Sequence, residues 1–301
     1  MNNNCNNSSR REYHIGFLAP TAYRYFQGKG FGGAELQVIN LSKMFHEAGY
    51  RVSILTNYSG QPSRKYYDGI QIVKAPLRFL GRSNFFFLPD TIRFIHIVRS
   101  LRLDFCFIKT PNTALFQLGI AKLLSKNLNI GKIFASDGDS VIDCSIADQL
   151  YRFGLKSADI IVFQTVKQQR DAKKILKVDG TVIPNIFYPP QSENATNPCI
   201  VEKDFDILWV GAFDAKKCPQ DLYEIARRLP QYRFAVISKP VTERYSVLEK
   251  KISTLPNVTY FGMIPFQHTQ HFFNRAKLLL CTSVIEGFPN TFLQAWYAGI
   301  P

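Results

Sequence analysis

Short apolar runs alternate along this chain with longer stretches in which apolar residues return every three or four positions. "YHIGFLAP" (13–20) is apolar almost throughout and predicts a buried strand. "AELQVINLSKMFHEAG" (34–49) places Leu36, Val38, Ile39, Leu41, Met44 and Phe45 broadly on one helical face, and Gly49 can close it. "YRVSILT" (50–56) reads as the next strand, and the alternating "GIQIVKA" (69–75) as another. The pattern continues as helix 90–101, strand 103–108, helix 112–126 and strand 131–136. It then gives helix 145–157, strand 159–164, helix 166–177 and a short strand at 181–183.

Residues 188–204, "YPPQSENATNPCIVEKD", interrupt this rhythm with prolines, asparagines and acids and predict a linker. The alternation restarts as strand 205–213, helix 219–229, strand 232–238, helix 243–254, strand 257–262, helix 267–276, strand 277–283 and helix 291–298. Strand–helix alternation at this spacing argues for α/β architecture, with parallel sheets covered by helices on both faces. The expected organisation is a disordered tail at 1–12, an N-terminal Rossmann-like domain at 13–187, the linker at 188–204 and a second Rossmann-like domain at 205–301. A ligand is expected in a cleft between two such domains, at the carboxyl ends of their strands. Gly299 and Pro301 stop the last helix before another strand, so the second domain is expected to be incomplete, with an unpaired sheet edge.

Composition changes the picture in one respect. The formal net charge of +14 over 301 residues suits an anionic partner, or solubility alone. Arg64, Lys65, Lys74, Arg78, Arg82, Arg93, Arg99, Arg102 and Lys109 face only Asp68, Asp90 and Asp104 between 61 and 110. Phe79, Phe85, Phe86, Phe87 and Phe94 interleave with them. Such a stretch can lie on an anionic lipid surface or form a core helix with a solvated face. The six cysteines show no C-x-x-C spacing, which leaves metal and disulfide readings weak, and Cys106 and Cys281 are expected to be small core residues. The polar N-terminus lacks the apolar segment of a signal peptide, and no apolar run reaches membrane-spanning length. A reducing cytosol is the expected location.

Three stretches carry candidate chemistry. "GKGFGGAE" (28–35) opens a helix after a long loop; Gly32 and Gly33 let backbone approach a ligand, and helix-start N–H groups can meet phosphate. It is not G-x-G-x-x-G, so a nicotinamide dinucleotide reading is poor. "VGAFDAKKCP" (210–219) puts Lys216 and Lys217 after a strand, where a lysine can neutralise a diphosphate or simply be solvated. "EGFPNTFLQAW" (286–296) sets Glu286 in a turn and leads through Gly287, Phe288, Pro289 and Asn290 into a helix bearing Gln294. Glu286 can accept hydrogen bonds from sugar hydroxyls or serve as a surface acid, and Gln294 can reach a ribose.

Together and in this order, the three stretches resemble the retaining GT-B glycosyltransferases, in particular the GT4-like glycosyl transferases group 1. "FGGAE" followed by "GYRVSILT" is similar to that family's first glycine loop. "ILWVGAFDAKKCPQDLYEIA" is similar to its phosphate-lysine strand, loop and helix, and "CTSVIEGFPNTFLQAWYAGIP" to its E-x7-E segment. "IPN" (183–185) and "SADIIVFQTVKQQ" (157–169) resemble its domain junction and last N-domain strand. The resemblance implies two Rossmann-like domains facing a cleft. It implies that Glu286 contacts the donor sugar, that Gly287, Phe288, Pro289 and Asn290 form the loop at sugar and phosphate, and that Lys217 holds the diphosphate. Gly33 would admit backbone N–H groups to the same phosphate, with neither metal nor cofactor required.

The chain also departs from the family's pattern. Gln294 stands where the second acid is expected, and Ala212 where an arginine often follows the glycine, so Lys216 is a candidate substitute. "ASDGDS" (135–140) occupies the place of an N-domain histidine, which makes Asp137 or Asp139 a candidate for part of its role. The expected function is transfer of a sugar from a nucleoside-diphosphate sugar to a hydroxyl of a glycan or lipid-linked glycan, with retention. Polysaccharide assembly at the inner face of a membrane is a fitting setting. Two rival readings are a non-catalytic sugar-nucleotide binder and a basic nucleic-acid-binding protein. The second lacks any recognisable motif, so no nucleic-acid partner is expected.

Overall fold

The computed structural model describes residues 12–28, 32–58, 60–77, 87–109, 113–125, 127–140, 145–189, 202–239 and 242–301. The expected N-terminal tail up to residue 11, most of the linker and residues 78–86 of the basic aromatic stretch lie outside them. Contacts divide the chain into two units, with the main division between Ile183 and Pro184.

The first unit is built on an eight-stranded sheet. Its strands are β1 (His14–Leu18), β2 (Arg51–Thr56), β3 (Arg64–Tyr67), β4 (Ile70–Lys74), β5 (Phe105–Ile108), β6 (Asn129–Ile133), β7 (Ile160–Phe163) and β8 (Thr181–Val182), in the order β3-β4-β2-β1-β5-β6-β7-β8. All neighbours are parallel except β3 and β4. Every residue of β1 is buried, as a central parallel strand covered on both faces requires. On one face, α1 (Tyr23–Phe26) and α2 (Gly33–Glu47) pack Tyr23, Val38 and Ile39 against Phe17, Ile54 and Ile72. On the other, α3 (Phe87–Leu101), α4 (Ala114–Leu123), α5 (Ile146–Ser157) and α6 (Val166–Ile175) bury Phe94, Leu115, Leu118, Leu155 and Ala172 against Leu18, Cys106 and Ile130. Burying a side chain such as Phe94 is worth about 1.5–3 kcal/mol.

The helix starts follow from local chemistry. Ser145 Oγ accepts from Asp148 N (3.2 Å) at the head of α5, and Thr165 Oγ1 accepts from Gln168 N (3.1 Å) at the head of α6. Gln168 Oε1 in turn accepts from Gln164 N at 2.8 Å. Helices α4 and α5 approach so closely that a Cβ on Gly154 would lie 2.7 Å from the Leu115 carbonyl carbon.

Two elements were not anticipated, α1 and β3. The chain reverses from β3 into β4 through Asp68 (φ 48°) and Gly69 (φ 78°), both left-handed, which is the backbone of a type I′ hairpin turn.

The second unit repeats the plan with β9 (Phe205–Val210), β10 (Phe234–Ile237), β11 (Val258–Gly262) and β12 (Ala276–Leu279), all parallel in the order β11-β10-β9-β12. Helices α7 (Pro219–Arg228) and α8 (Glu243–Ser253) pack Leu222, Ala226 and Ile252 on Trp209, Phe234 and Val236. The opposite face is covered by α9 (Phe266–Asn274) and α10 (Asn290–Tyr297) through Phe272, Phe273 and Ala295. Strand β12 lies at one edge, where Leu279 N donates to Pro301 O at 2.8 Å. Cys106 is buried as expected, but Cys281 is exposed, because β12 has already ended and its residue has left the sheet.

Two buried polar systems hold the first sheet. His14 Nδ1 donates to Leu101 O (2.9 Å), and its Nε2 lies 2.8 Å from Ser53 Oγ. Ser53 Oγ bonds Gln71 Oε1 (2.9 Å) and Gln71 Nε2 bonds the Tyr66 hydroxyl (3.0 Å), so the chain of contacts crosses β1, β2, β4 and β3. Burial, and then the charge of Arg51, lower the His14 pKa below its ordinary value. In the other system, fully buried Lys132 donates to Lys109 O and Ile133 O, both at 2.8 Å, and stands 3.3 Å from Asp139 Oδ2. The same Asp139 oxygen accepts from Ala135 N at 2.7 Å and ties down the 3₁₀ turn Asp137–Ser140 after β6. Burial, with the neighbouring Lys132 charge, pushes the Lys109 ammonium down to about 7.

Two outcomes are expected. Because the native state favours neutral His14, its contribution is complete above the unfolded pKa of about 6.5 and is lost as pH falls from there toward the lower native value. Urea midpoints measured across that window should fall, and His14→Gln should flatten the fall; an unchanged slope would remove His14 as the cause. Lys132→Met, which takes the buried cation away from the Asp139 carboxylate, is expected to cost about 3–5 kcal/mol. Adding Asp139→Asn should recover part of it in urea melts. A double variant no more stable than Lys132→Met would show that the pair does not hold the turn.

Candidate functional site

In the second unit the strand order reverses between β9 and β12, which makes the carboxyl ends of these two strands the switch point of the sheet. The loop leaving β9 begins at Gly211. Asp214 Oδ1 accepts from Lys216 N (2.9 Å) and Lys217 N (3.0 Å) and curls the loop into a tight turn. Cys218 then takes a left-handed φ of 46°, and Pro219 opens α7 with its fixed φ.

The segment leaving β12 is fastened to that loop. Thr282 Oγ1 accepts from Trp209 Nε1 (3.0 Å) and donates to Lys217 O (2.6 Å), and Val284 N donates to Lys216 O (3.0 Å). These bonds set the two loops side by side, and the Lys217 ammonium meets the Glu286 carboxylate as an ion pair. Their side chains keep 29% and 26% of their exposure, so the pair is open to an incoming ligand. Lys216 is exposed. Lys216 and Lys217 are offset by Asp214 and Glu286, so these four side chains carry no formal excess charge.

Beyond Gly287, the Phe288 carbonyl accepts from Asn185 Nδ2 at 2.6 Å, and the Phe288 ring meets Trp296 edge-on at 5.9 Å. Pro289 is extended (φ −66°, ψ 136°) and supplies no capping side chain, while Asn290 begins α10. Helix-start N–H groups have no partner within their own helix and favour an anion.

The candidate residues do not all converge. Lys217 and Glu286 do, with Lys216, Gly287, Phe288 and Pro289 on the loops that carry them and Asn290 at the first position of α10. Gln294 is 3% exposed, its Nε2 donates to Thr269 Oγ1 (2.9 Å) on α9, and its own carbonyl accepts from Gln270 Nε2 (3.2 Å). Its amide therefore fastens α10 to α9 inside the unit instead of lying open to a ribose. Asp139 is 4% exposed and is held by Lys132 and Ala135, in a buried position unlike that of an exposed acid. Gly33 is the first residue of α2, in the connection that follows β1. Among the described residues no three His, Cys, Asp or Glu side chains gather as a metal site, and no helix is long and apolar enough to cross a membrane.

Sequence reading missed Asp214, Thr282 and Trp209. The D-x-K-K spacing is a legible turn signal for the first. Thr282 and Lys217 lie 65 residues apart, and only the parallel sheet brings them together.

Residues 191–301 match the family model described as Glycosyl transferases group 1. A comparison with curated proteins finds no match. Among solved structures, sucrose-phosphate synthase from Thermosynechococcus elongatus is similar at 17% identity with a TM-score of 0.69, over 96% of this chain and 80% of that one. The lipopolysaccharide outer core galactosyltransferase WaaB in its apo form is similar at 17% identity and a TM-score of 0.62, over 96% and 79%. Alr3699/HepE from Anabaena, solved in complex with UDP and glucose, is similar at 16% identity and a TM-score of 0.64, over 95% and 79%. Residues 191–301 thus resemble a glycosyl transferases group 1 domain, and the α/β fold of the chain matches that of GT-B glycosyltransferase structures.

Proposed function

We propose that this protein transfers a sugar from a nucleoside-diphosphate sugar to a hydroxyl of a glycan or lipid-linked glycan, with retention and without a metal. The observation that carries the reading is the Lys217–Glu286 pair, set at the switch point of the sheet by bonds from Thr282 and Val284. Each half suits one part of such a donor. Lys217, with Lys216 beside it, offers cations to the diphosphate. Glu286 offers a carboxylate to the sugar hydroxyls, and the start of α10 offers N–H groups to the diphosphate.

Chemically, the demand is to stabilise charge that grows on the departing diphosphate as the anomeric carbon–oxygen bond breaks. Cations and N–H groups fixed before the reaction do this without reorganisation. The acceptor hydroxyl attacks the anomeric carbon on the face from which the diphosphate leaves. Its proton goes to the departing phosphate oxygen, so atoms and charge balance with no further co-reactant. In this reading Gln294 and Asp139 position their turns and do not touch the donor.

Calorimetric titration with UDP-, GDP- and ADP-sugars should show one preferred donor. Lys217→Met should weaken it about tenfold to a hundredfold, the worth of one charge-assisted hydrogen bond. Glu286→Gln removes a negative charge near the phosphates. It should bind the free nucleoside diphosphate at least as tightly as the wild type, yet lose affinity for the sugar nucleotide and lose turnover. Turnover should persist in a chelator, and the product anomer read by NMR should match that of the donor. A Lys217→Met protein that binds as the wild type does, or a Glu286→Gln protein that transfers at full rate, would remove the reading.

A further inference from the structure

The donor reading uses the ends of β9 and β12 and leaves the end of β10 without a role. The ladder between β9 and β10 runs on past both strands. Ile237 is the register partner of Val210, Gly211 N donates to Ile237 O (3.1 Å), and Phe213 N donates to Lys239 O (3.0 Å). The same register carried two residues further sets Lys239 beside Ala212. Side chains alternate between the two faces of a sheet. Phe234 and Val236 pack under α7 and α8, whereas Ala235 and Ile237 pack under α9 and α10. Lys239 continues the second row, and Ala212 continues the matching row of Leu208 and Val210 on β9. Both stand at the carboxyl edge of the sheet, on the face that α10 covers and toward which the Glu286 turn leads.

Lys239 is half-buried, and among the described residues its ammonium has neither a hydrogen bond nor an ion pair. The two carboxylates on the neighbouring loops are engaged elsewhere. Asp214 gathers the N–H groups of Lys216 and Lys217, and Glu286 pairs with the Lys217 ammonium. Ala212, alongside, presents only a methyl group. An unanswered cation at the edge of a parallel sheet where ligands bind is suited to an anion.

Strand order says which anion. In the donor reading the sugar lies at Glu286, after β12, and a phosphate lies at Lys217, after β9. A nucleoside-diphosphate sugar continues from the sugar through that first phosphate to a second, which bears the nucleoside. The next strand in the sheet is β10, about 4.8 Å further on, and it leads into Lys239.

We propose that Lys239 holds the nucleoside-bearing phosphate, so that the donor lies across the strand ends with its sugar over β12, its first phosphate over β9 and its second over β10. The inference rests on the donor reading and adds to it a binding residue and a direction.

The test is calorimetric titration of the full chain with the mono- and diphosphates of uridine, guanosine and adenosine, weak binding being read by displacement of the diphosphate. A monophosphate keeps the phosphate assigned to Lys239 and lacks the one assigned to Lys217. Lys239→Met should therefore weaken the mono- and diphosphate of the preferred base alike, by about tenfold. Lys217→Met should weaken the diphosphate and leave the monophosphate nearly unchanged. Lys239→Arg keeps the charge and should recover most of the loss, and the melting temperatures of the Lys239 variants should match that of the wild type. If Lys217→Met weakens the diphosphate while Lys239→Met binds both nucleotides as the wild type does, the inference is overturned and the donor reading stands. A Lys239→Met loss confined to the diphosphate would also overturn it, because Lys239 would then meet the first phosphate. An equal loss on the unphosphorylated nucleoside would place Lys239 at the base and overturn it too, as would a wild type that binds the diphosphate but not the monophosphate. If the wild type binds no nucleotide at all, the donor reading falls and this inference with it.

Discussion

The Thr282 hydroxyl is the joint on which the candidate site depends. It accepts from the Trp209 indole and donates to the Lys217 carbonyl, so the end of β12 is bound to the loop leaving β9 through one oxygen. A hydroxyl can do both, since it has one proton and two lone pairs. A valine would fill the same space and serve neither partner. Fixing the main chain of Lys217 also fixes where its long side chain starts, so only the side chain's own rotamer freedom is left to lose when the ammonium settles on a charge. Asp214 acts in the same sense from the other side by gathering the N–H groups of Lys216 and Lys217. Geometry in this site is thus set by backbone bonds, and the charged ends are left open.

Much of the fold could be read from the sequence because parallel strands covered on both faces are apolar runs, and β1, β2 and β10 are such runs. The hairpin between β3 and β4 was missed for a physical reason. β3, "RKYY", is polar, exposed and antiparallel at the sheet edge, so it has no apolar signature. Its turn was legible, since Asp68-Gly69 is a pair suited to two left-handed residues in succession. Strand β12 ended earlier than its apolar run suggested, which left Cys281 outside the sheet.

The candidate site divides in the same way. Lys217 and Glu286 could be picked out because each follows a strand and precedes a helix, and such positions fall at the carboxyl edge of a parallel sheet. Gln294 could not be placed from its position in a helix start alone. One turn of rotation decides whether its amide meets solvent or the Thr269 hydroxyl on α9, and packing of Phe272, Phe273 and Ala295 makes that decision. Lys132 shows the opposite limit. A lysine in a strand of apolar neighbours reads as an irregularity until the turn at Asp137–Ser140 supplies its carboxylate.

The bond between Lys217 and Glu286 has a consequence for selectivity. An empty site whose charges cancel exerts little pull on the phosphates that crowd any cell interior. A lone phosphate that takes Lys217 exchanges the Glu286 carboxylate's partner for water, since that side chain keeps 26% of its exposure. A molecule that carries phosphate on one side and hydroxyls on the other answers both at once. On the proposed reading, the pair would favour a ligand that carries both groups over either half offered singly.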